Sequence, residues 1–231
     1  MDLWEITQLL FPSQCLICAK PGVDLCLSCA PRPLPLQITI PDVRQLLLSN
    51  FLYDQSLTRI LLAAKEDNLR VAQFLIAKAC TTLLTRASRL LGTDSLIVVL
   101  VPSSPAAIAQ RGYIHLERTL RFVPGMMNVK LAQPLSLRSR RGVLDQSLIS
   151  IMGRTENVRG KYFVSGSRRR IAEVIARHER GAGIILMDDV VTSGSSMKES
   201  LRALNVVGIE PDMLISACIS PRLASNRMVP S

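Results

Sequence analysis

Apolar positions along the chain fall into two kinds of run. Over residues 56–91 they recur every three or four residues: Leu57, Ile60, Leu61 and Ala64 share one face, as do Val71, Phe74, Leu75 and Ala79. This spacing predicts helix. The stretches "SLIVVLVP" (95–102), "GIILMDDVV" (183–191) and "DMLISACIS" (212–220) are nearly unbroken and predict buried strands. "RQLLLSNFLYD" (44–54) alternates poorly and reads as a first strand or a turn, and "NVKLAQPLSL" (128–137) as a weaker strand. Helical patterns return at about 108–122, in "AEVIARHER" (172–180) and in "SSMKESLRALNVVG" (195–208). In the last of these, Ser196 and Glu199 have capping-box spacing, Met197, Leu201 and Leu204 share a face, and Gly208 marks the end. Strands alternating with helices predict an α/β fold with a mainly parallel sheet flanked by helices. "PRPLPLQITIPD" (31–42), with its four prolines, reads as a linker, and "MDLWEITQLLFP" at the start as a short amphipathic helix.

Composition sharpens this picture. Apolar residues make up 48% of the 231 positions and aromatics only 4%, so the core is expected to be aliphatic. No apolar run approaches the roughly 18 residues of a membrane span. The opening segment carries two acids and lacks a basic region and a small-residue cleavage site, so a cytoplasmic protein is expected, with cysteines present as thiols or metal ligands. Formal net charge is +10, which favours polyanionic partners such as nucleotides, phosphorylated sugars or nucleic acid. Residues 138–180 hold eleven basic and four acidic side chains and read in part as a loop able to close over a site. Cys15, Cys18, Cys26 and Cys29 form two C-x2-C pairs separated by seven residues, with Pro21 and Gly22 supplying a turn between them. Four soft ligands suit tetrahedral Zn2+, and a closed four-cysteine set suits a structural rather than a catalytic ion. Cys80 and Cys218 stand alone and read as core residues.

The richest chemistry lies in "GIILMDDVVTSGSS" (183–196). An apolar strand ends in Asp188 and Asp189, and the loop after it carries Thr192, Ser193, Ser195 and Ser196 around Gly194 before a helix begins. Backbone N–H groups, hydroxyls and a helix N-terminus make a phosphate cradle, and ligands of open α/β sheets sit at this edge of the strands. The carboxylates would repel phosphate and need another target. The vicinal hydroxyls of a ribose 5-phosphate fit, with Mg2+ between carboxylates, hydroxyls and a second phosphate screening the remaining charge. A P-loop would need G-x4-G-K-[ST], but "GRTENVRGKY" has six residues between its glycines and Tyr162 after the lysine. A dinucleotide fingerprint fails in "GAGIIL" at the third glycine. A phospho-receiver acid cluster stays open but leaves the hydroxyl loop unexplained.

"IILMDDVVTSGSS" closely resembles the phosphoribosyl-pyrophosphate (PRPP) motif of type I phosphoribosyltransferases. The whole chain looks like the ComF (ComFC/GntX-like) branch, which opens with a four-cysteine knuckle. "LFPSQCLIC" and "LCLSC", "YDQSLTRILLAAKED" with Tyr53 and Lys65, "VPSSPAAIAQRGYIHL" with Arg111 and Gly112, and Gln146, Arg154 and Asn157 carry this likeness. Tyr113, Ile114 and His115 stand where the branch usually has Phe-Asn-Gln, and loop 103–110 has no basic residue. The resemblance implies a type I phosphoribosyltransferase-like sheet, with a cysteine knuckle over 1–35, a linker over 36–50 and the transferase-like domain over 51–231. It implies Asp188 and Asp189 as the catalytic pair on the ribose. Val190, Val191, Thr192, Ser193, Gly194, Ser195 and Ser196 would bind PRPP, and Arg111 would face the pyrophosphate. Zn2+ would be structural, and Mg2+ would enter with PRPP. The implied activity is transfer of phosphoribose to an unidentified acceptor with release of pyrophosphate, linked to the DNA-uptake machinery of competence. A second reading is a non-catalytic accessory that senses PRPP or binds single-stranded DNA.

Overall fold

The computed structural model describes residues 13–121 and 160–225, with the backbone of two further strands at 128–131 and 136–139. The expectations for the opening helix, for Gln146, Arg154 and Asn157, and for most of the arginine-rich loop lie outside the described residues. The chain runs through β1 (Leu36–Thr39), β2 (Leu46–Leu52), α1 (Gln55–Lys65), α2 (Arg70–Leu91) and β3 (Ser95–Leu100). Then come α3 (Pro105–Arg111), α4 (His115–Leu120), β4 (Asn128–Leu131), β5 (Ser136–Ser139), β6 (Tyr162–Ser165) and α5 (Arg168–Glu179). It closes with β7 (Gly183–Val191), α6 (Ser195–Asn205), β8 (Met213–Ile219) and α7 (Pro221–Ser225).

Six strands form one sheet in the order β1–β2–β8–β7–β3–β4, parallel except for the antiparallel β1–β2 pair. β5 and β6 make a separate antiparallel ribbon. The aliphatic run Ile184–Met187 lies at the centre of the sheet with every side chain nearly inaccessible. Each such burial stabilises by roughly 1.5–3 kcal/mol, which is why an unbroken apolar run becomes a central strand. Two cores result. Leu186, Met197, Leu201, Leu204 and Leu214 pack on the α6 side. Ile60, Ile76, Leu83, Met187 and Ile215 pack on the side of α1 and α2. A mixed α/β fold with a mostly parallel sheet flanked by helices is therefore the observed architecture.

Several local expectations are corrected. The proline-rich stretch 31–42 contains β1, because Leu36, Ile38 and Ile40 are buried and so anchor it to the sheet edge. The helical pattern of 56–91 is two helices, broken at 66–69, where Asn68 takes a left-handed φ of 57°. The expected helix at 108–122 is split by Gly112, whose φ of 76° caps α3. "NVKLAQPLSL" spans β4 and the first half of β5 rather than one strand. The capping box of α6 is not made: its N-cap is Gly194, and Glu199 accepts instead from the Tyr162 amide and from Arg202.

Candidate functional site

The connections reverse between β3 and β7. The chain leaves β3 through α3 and α4 toward β4, and leaves β7 through α6 toward β8, with α4 and α6 packed on opposite faces. The carboxyl ends of two neighbouring parallel strands thus face a crevice that neither connection covers, the usual ligand position in open α/β sheets. The β7 side of this crevice is a cavity of about 70 Å³ lined by Asp188, Val190, Val191, Thr192, Ser193, Gly194, Ser195, Ser196 and Met197. Gly194 takes φ 80°, and a Cβ there would stand 2.7 Å from Ile40 Cγ2, so only glycine suits this bend. The bend leads straight into α6, whose first amides have no intrahelical acceptor. Within it, the Ser193 and Ser195 hydroxyls lie 2.9 Å apart, and the Ser195 amide approaches Ser193 Oγ at 3.4 Å.

The acid pair sits where the sheet loses its regular alternation. Ser49, Ser216 and Asp188 pair across β2, β8 and β7, and the next pairing is Phe51, Cys218 and Val190; each strand skips one residue. Ser49 Oγ donates to the Ala217 carbonyl (3.3 Å) and Ser216 Oγ to that of Cys218 (2.7 Å). Beyond the skip, Val190 packs against the second core and Val191 in the first. These two serines in otherwise apolar strands are a signal that periodicity alone passes over.

Asp188 and Asp189 do not share one environment. Asp188 lines the cavity, and its Oδ1 accepts from the Asp189 amide at 2.8 Å. Burial and the neighbouring carboxylate push Asp188 up to about 8. Asp189 is absent from the cavity lining and pairs through Oδ2 with Lys65 Nζ at the end of α1. Burial would raise Asp189 too, but the Lys65 ammonium outweighs it and holds the carboxyl below its ordinary value. Burial likewise opposes the charge of Lys65, and Asp189 more than offsets it, keeping the ammonium above its usual range.

Arg111 belongs to this second cluster rather than to the loop cavity. Its Nε donates to Glu66 Oε1 at 2.9 Å, while the Tyr113 hydroxyl donates to the Lys65 carbonyl at 2.8 Å. Arg118 lies over the Tyr113 ring at 4.8 Å. The C-terminus of α1 is thus bolted to the turn after α3. His115, at the start of α4, is buried beside these charges, and neither ring nitrogen has a hydrogen-bond partner among the described residues. Burial is the main cause that pushes its imidazole down to about 4, with Lys65 and Arg111 acting in the same direction and Asp189 against it.

A proton must therefore enter the unfolded chain before the folded one as pH falls. The contribution of His115 to stability is present above about pH 6.5, falls progressively toward about pH 4 and is fully lost below it, amounting to roughly 3 kcal/mol. Urea unfolding of the parent and His115→Leu should show their free-energy difference changing in favour of the variant by this order between those limits. A difference independent of pH would contradict the assignment.

The four cysteine sulfurs expected to hold Zn2+ lie within 4.8 Å of one another. Cys26 Sγ is 3.7 Å from Cys15 Sγ and 3.8 Å from Cys18 Sγ, matching the edge of about 3.8 Å for a tetrahedron with Zn–S of about 2.3 Å. Tight turns set this spacing: the Ala19 amide donates to the Cys15 carbonyl, and the Cys29 and Ala30 amides donate to that of Cys26. The donor set also carries a charge conflict. Hydrogen bonds, first from the Cys18 amide, bring Cys15 down to about 6, whereas the neighbouring sulfurs, Cys26 foremost, push Cys29 up to about 12. A dication lets all four ionise, so the residues present fit zinc. Leu16, Ile17 and Leu25 of the knuckle pack against the core on the α1 and α2 side, and Arg59 Nη1 of α1 donates to the Ile17 carbonyl at 3.2 Å.

No family model matches the chain. An orotate phosphoribosyltransferase of Bartonella bacilliformis is 43% identical to it over 44 residues, which are 19% of this chain and 22% of that protein. The match thus spans about a fifth of that relative's length. This supports a phosphoribosyltransferase-like fold. Among the described residues, no helix is long and apolar enough to cross a membrane.

Proposed function

We propose that the chain binds PRPP or another ribose 5-phosphate at the carboxyl edge of β7 and, as a ComF-type protein, transfers the phosphoribosyl group to an acceptor with release of pyrophosphate. The observation that carries this reading is the coincidence, at the β3–β7 reversal, of a carboxylate with a glycine-bent hydroxyl loop opening onto one cavity. In this reading Thr192–Ser196 and the first amides of α6 hold the 5-phosphate. Asp188 and Asp189 hold the ribose hydroxyls. Departure of pyrophosphate from C1 leaves an oxocarbenium-like centre, so catalysis is positioning, charge placement and exclusion of water, with no protein nucleophile required. The zinc knuckle over 1–35 is structural, buttressing α1 beside the site. The connecting stretch 36–50 supplies β1 and the start of β2 to the transferase-like body. A role in DNA uptake and a cytoplasmic place belong to this same reading.

The carboxylate pair does not fit as a ready cage for Mg2+, since Lys65 already takes Asp189. In this reading the metal comes with the pyrophosphate. One observation favours the non-catalytic alternative, in which the chain senses PRPP or serves as a single-stranded-DNA accessory. Arg111, the side chain expected on the pyrophosphate, is engaged by Glu66. Titration calorimetry with PRPP, followed by pyrophosphate release in the presence of candidate bases, separates the readings. Binding with release supports transfer, binding without release supports sensing, and no binding of PRPP or ribose 5-phosphate sinks both of these and leaves the single-stranded-DNA accessory, which salt-dependent DNA binding tests.

A further inference from the structure

The acid pair needs a counter-charge if a phosphate is to bind beside it, and the structure places a fixed one there. Lys65 is the last residue of α1, and its ammonium is ion-paired with Asp189. Both side chains are largely withdrawn from solvent, so the attraction is weakly screened. The ammonium is not a loose tether. The Lys65 carbonyl is held by the Tyr113 hydroxyl, and the next residue, Glu66, is held by Arg111. Three elements around the crevice therefore fix the lysine: the end of α1, the turn after α3, and the tip of β7.

We infer that Lys65 is a positioning residue that serves as a built-in cation for the acid pair, doing for the ribose 5-phosphate half of the ligand what a divalent ion would otherwise do. This inference rests on the PRPP-site reading and deepens it. Two adjacent carboxylates with no counter-ion would repel a dianionic phosphate in the neighbouring loop. With Lys65 in place, Asp189 is neutralised and oriented by the protein itself. Binding of ribose 5-phosphate then needs no metal. Mg2+ is needed only where a pyrophosphate brings additional negative charge.

The test is titration of the full chain with ribose 5-phosphate, in EDTA and again in MgCl2. The parent is expected to bind with affinities in the two media within about twofold of each other. Lys65→Met is expected to bind at least about tenfold more weakly in EDTA and to regain most of the loss in MgCl2, because the ion replaces the missing charge. Lys65→Arg should retain metal-free binding. Should Lys65→Met fail to fold, Lys65→Gln, which keeps a donor for Asp189 without the charge, is read in the same way. A parent that binds ribose 5-phosphate only with Mg2+, or a Lys65→Met or Lys65→Gln variant that binds like the parent in EDTA, overturns the inference while leaving the PRPP site standing. A parent that binds neither ribose 5-phosphate nor PRPP removes the site reading and the inference together.

Discussion

Cys26→Ser is expected to abolish zinc binding and unfold the segment around residues 13–30. Cys26 Sγ lies 3.7 and 3.8 Å from the sulfurs of Cys15 and Cys18. Its own amide also donates to Cys15 Sγ at 3.5 Å. The segment has little else to hold it. Its hydrophobic contribution is confined to a few side chains, and Leu27 is almost fully exposed. Structural zinc in comparably small elements supplies an apparent binding free energy of about 10–16 kcal/mol near neutral pH, far more than these contacts provide. The sheet has its own two cores and should remain folded, with some loosening of the second core where Leu16, Ile17 and Leu25 pack. Native mass spectrometry should find about one zinc ion per parent chain and none on the variant. Hydrogen exchange should lose protection over the knuckle while β7 and β8 keep theirs. A parent that carries no zinc yet protects the knuckle amides would contradict this.

Asp188→Asn together with Asp189→Asn is expected to lower PRPP affinity by at least about 100-fold, since each carboxylate that accepts from a ligand hydroxyl contributes on the order of 1.5–3 kcal/mol. The two substitutions should differ in their effect on stability. Asp189→Asn leaves the Lys65 ammonium without its partner, which destabilises by about 3–5 kcal/mol when such a pair is buried. Asp188→Asn should act in the other direction on the alkaline side. The folded chain raises the pKa of Asp188 to about 8, chiefly by burial and then by the charge of Asp189. Its ionisation therefore costs more folded than unfolded, and the parent loses stability as pH rises from about 4 through about 8. The single variant lacks that loss. Melting temperatures measured at about pH 5 and about pH 9 should show Asp188→Asn gaining on the parent between the two, with the larger advantage at the higher pH. Weaker binding combined with greater alkaline stability is what a residue kept for its ligand should show. Unchanged PRPP affinity in the double variant would mean that the acid pair does not touch the sugar.

Local pattern carried much of this protein. The runs at 95–100, 184–187 and 213–219 became adjacent central strands because an aliphatic stretch with no polar face has to be covered on both sides. The C-x2-C spacing brought four sulfurs together because each pair closes its own tight turn. The bend at Thr192–Ser196 was legible from one glycine between hydroxyls ahead of an amphipathic helix. Where a few residues' backbone options and the period of their side chains settle the outcome, the sequence alone determined it.

The division of labour within the acid pair was decided elsewhere. Nothing near Asp189 announces Lys65, which reaches it only because α1 docks on one face of the sheet and ends level with the tip of β7. Nor does any local pattern pair Arg111 with Glu66, 45 residues earlier, which the packing of α1 against the turn after α3 brings within 2.9 Å. Glu199 was read as a cap and instead anchors β6, since Gly194 already begins the helix in a left-handed turn. β1 hid among prolines because its contribution is three buried side chains at a sheet edge. Partner choice among charged groups depends on which surfaces meet after the helices pack, over separations that no local period records. The sequence thus determined the central strands, the knuckle and the glycine bend, while only the tertiary structure decided which charges face one another across the crevice.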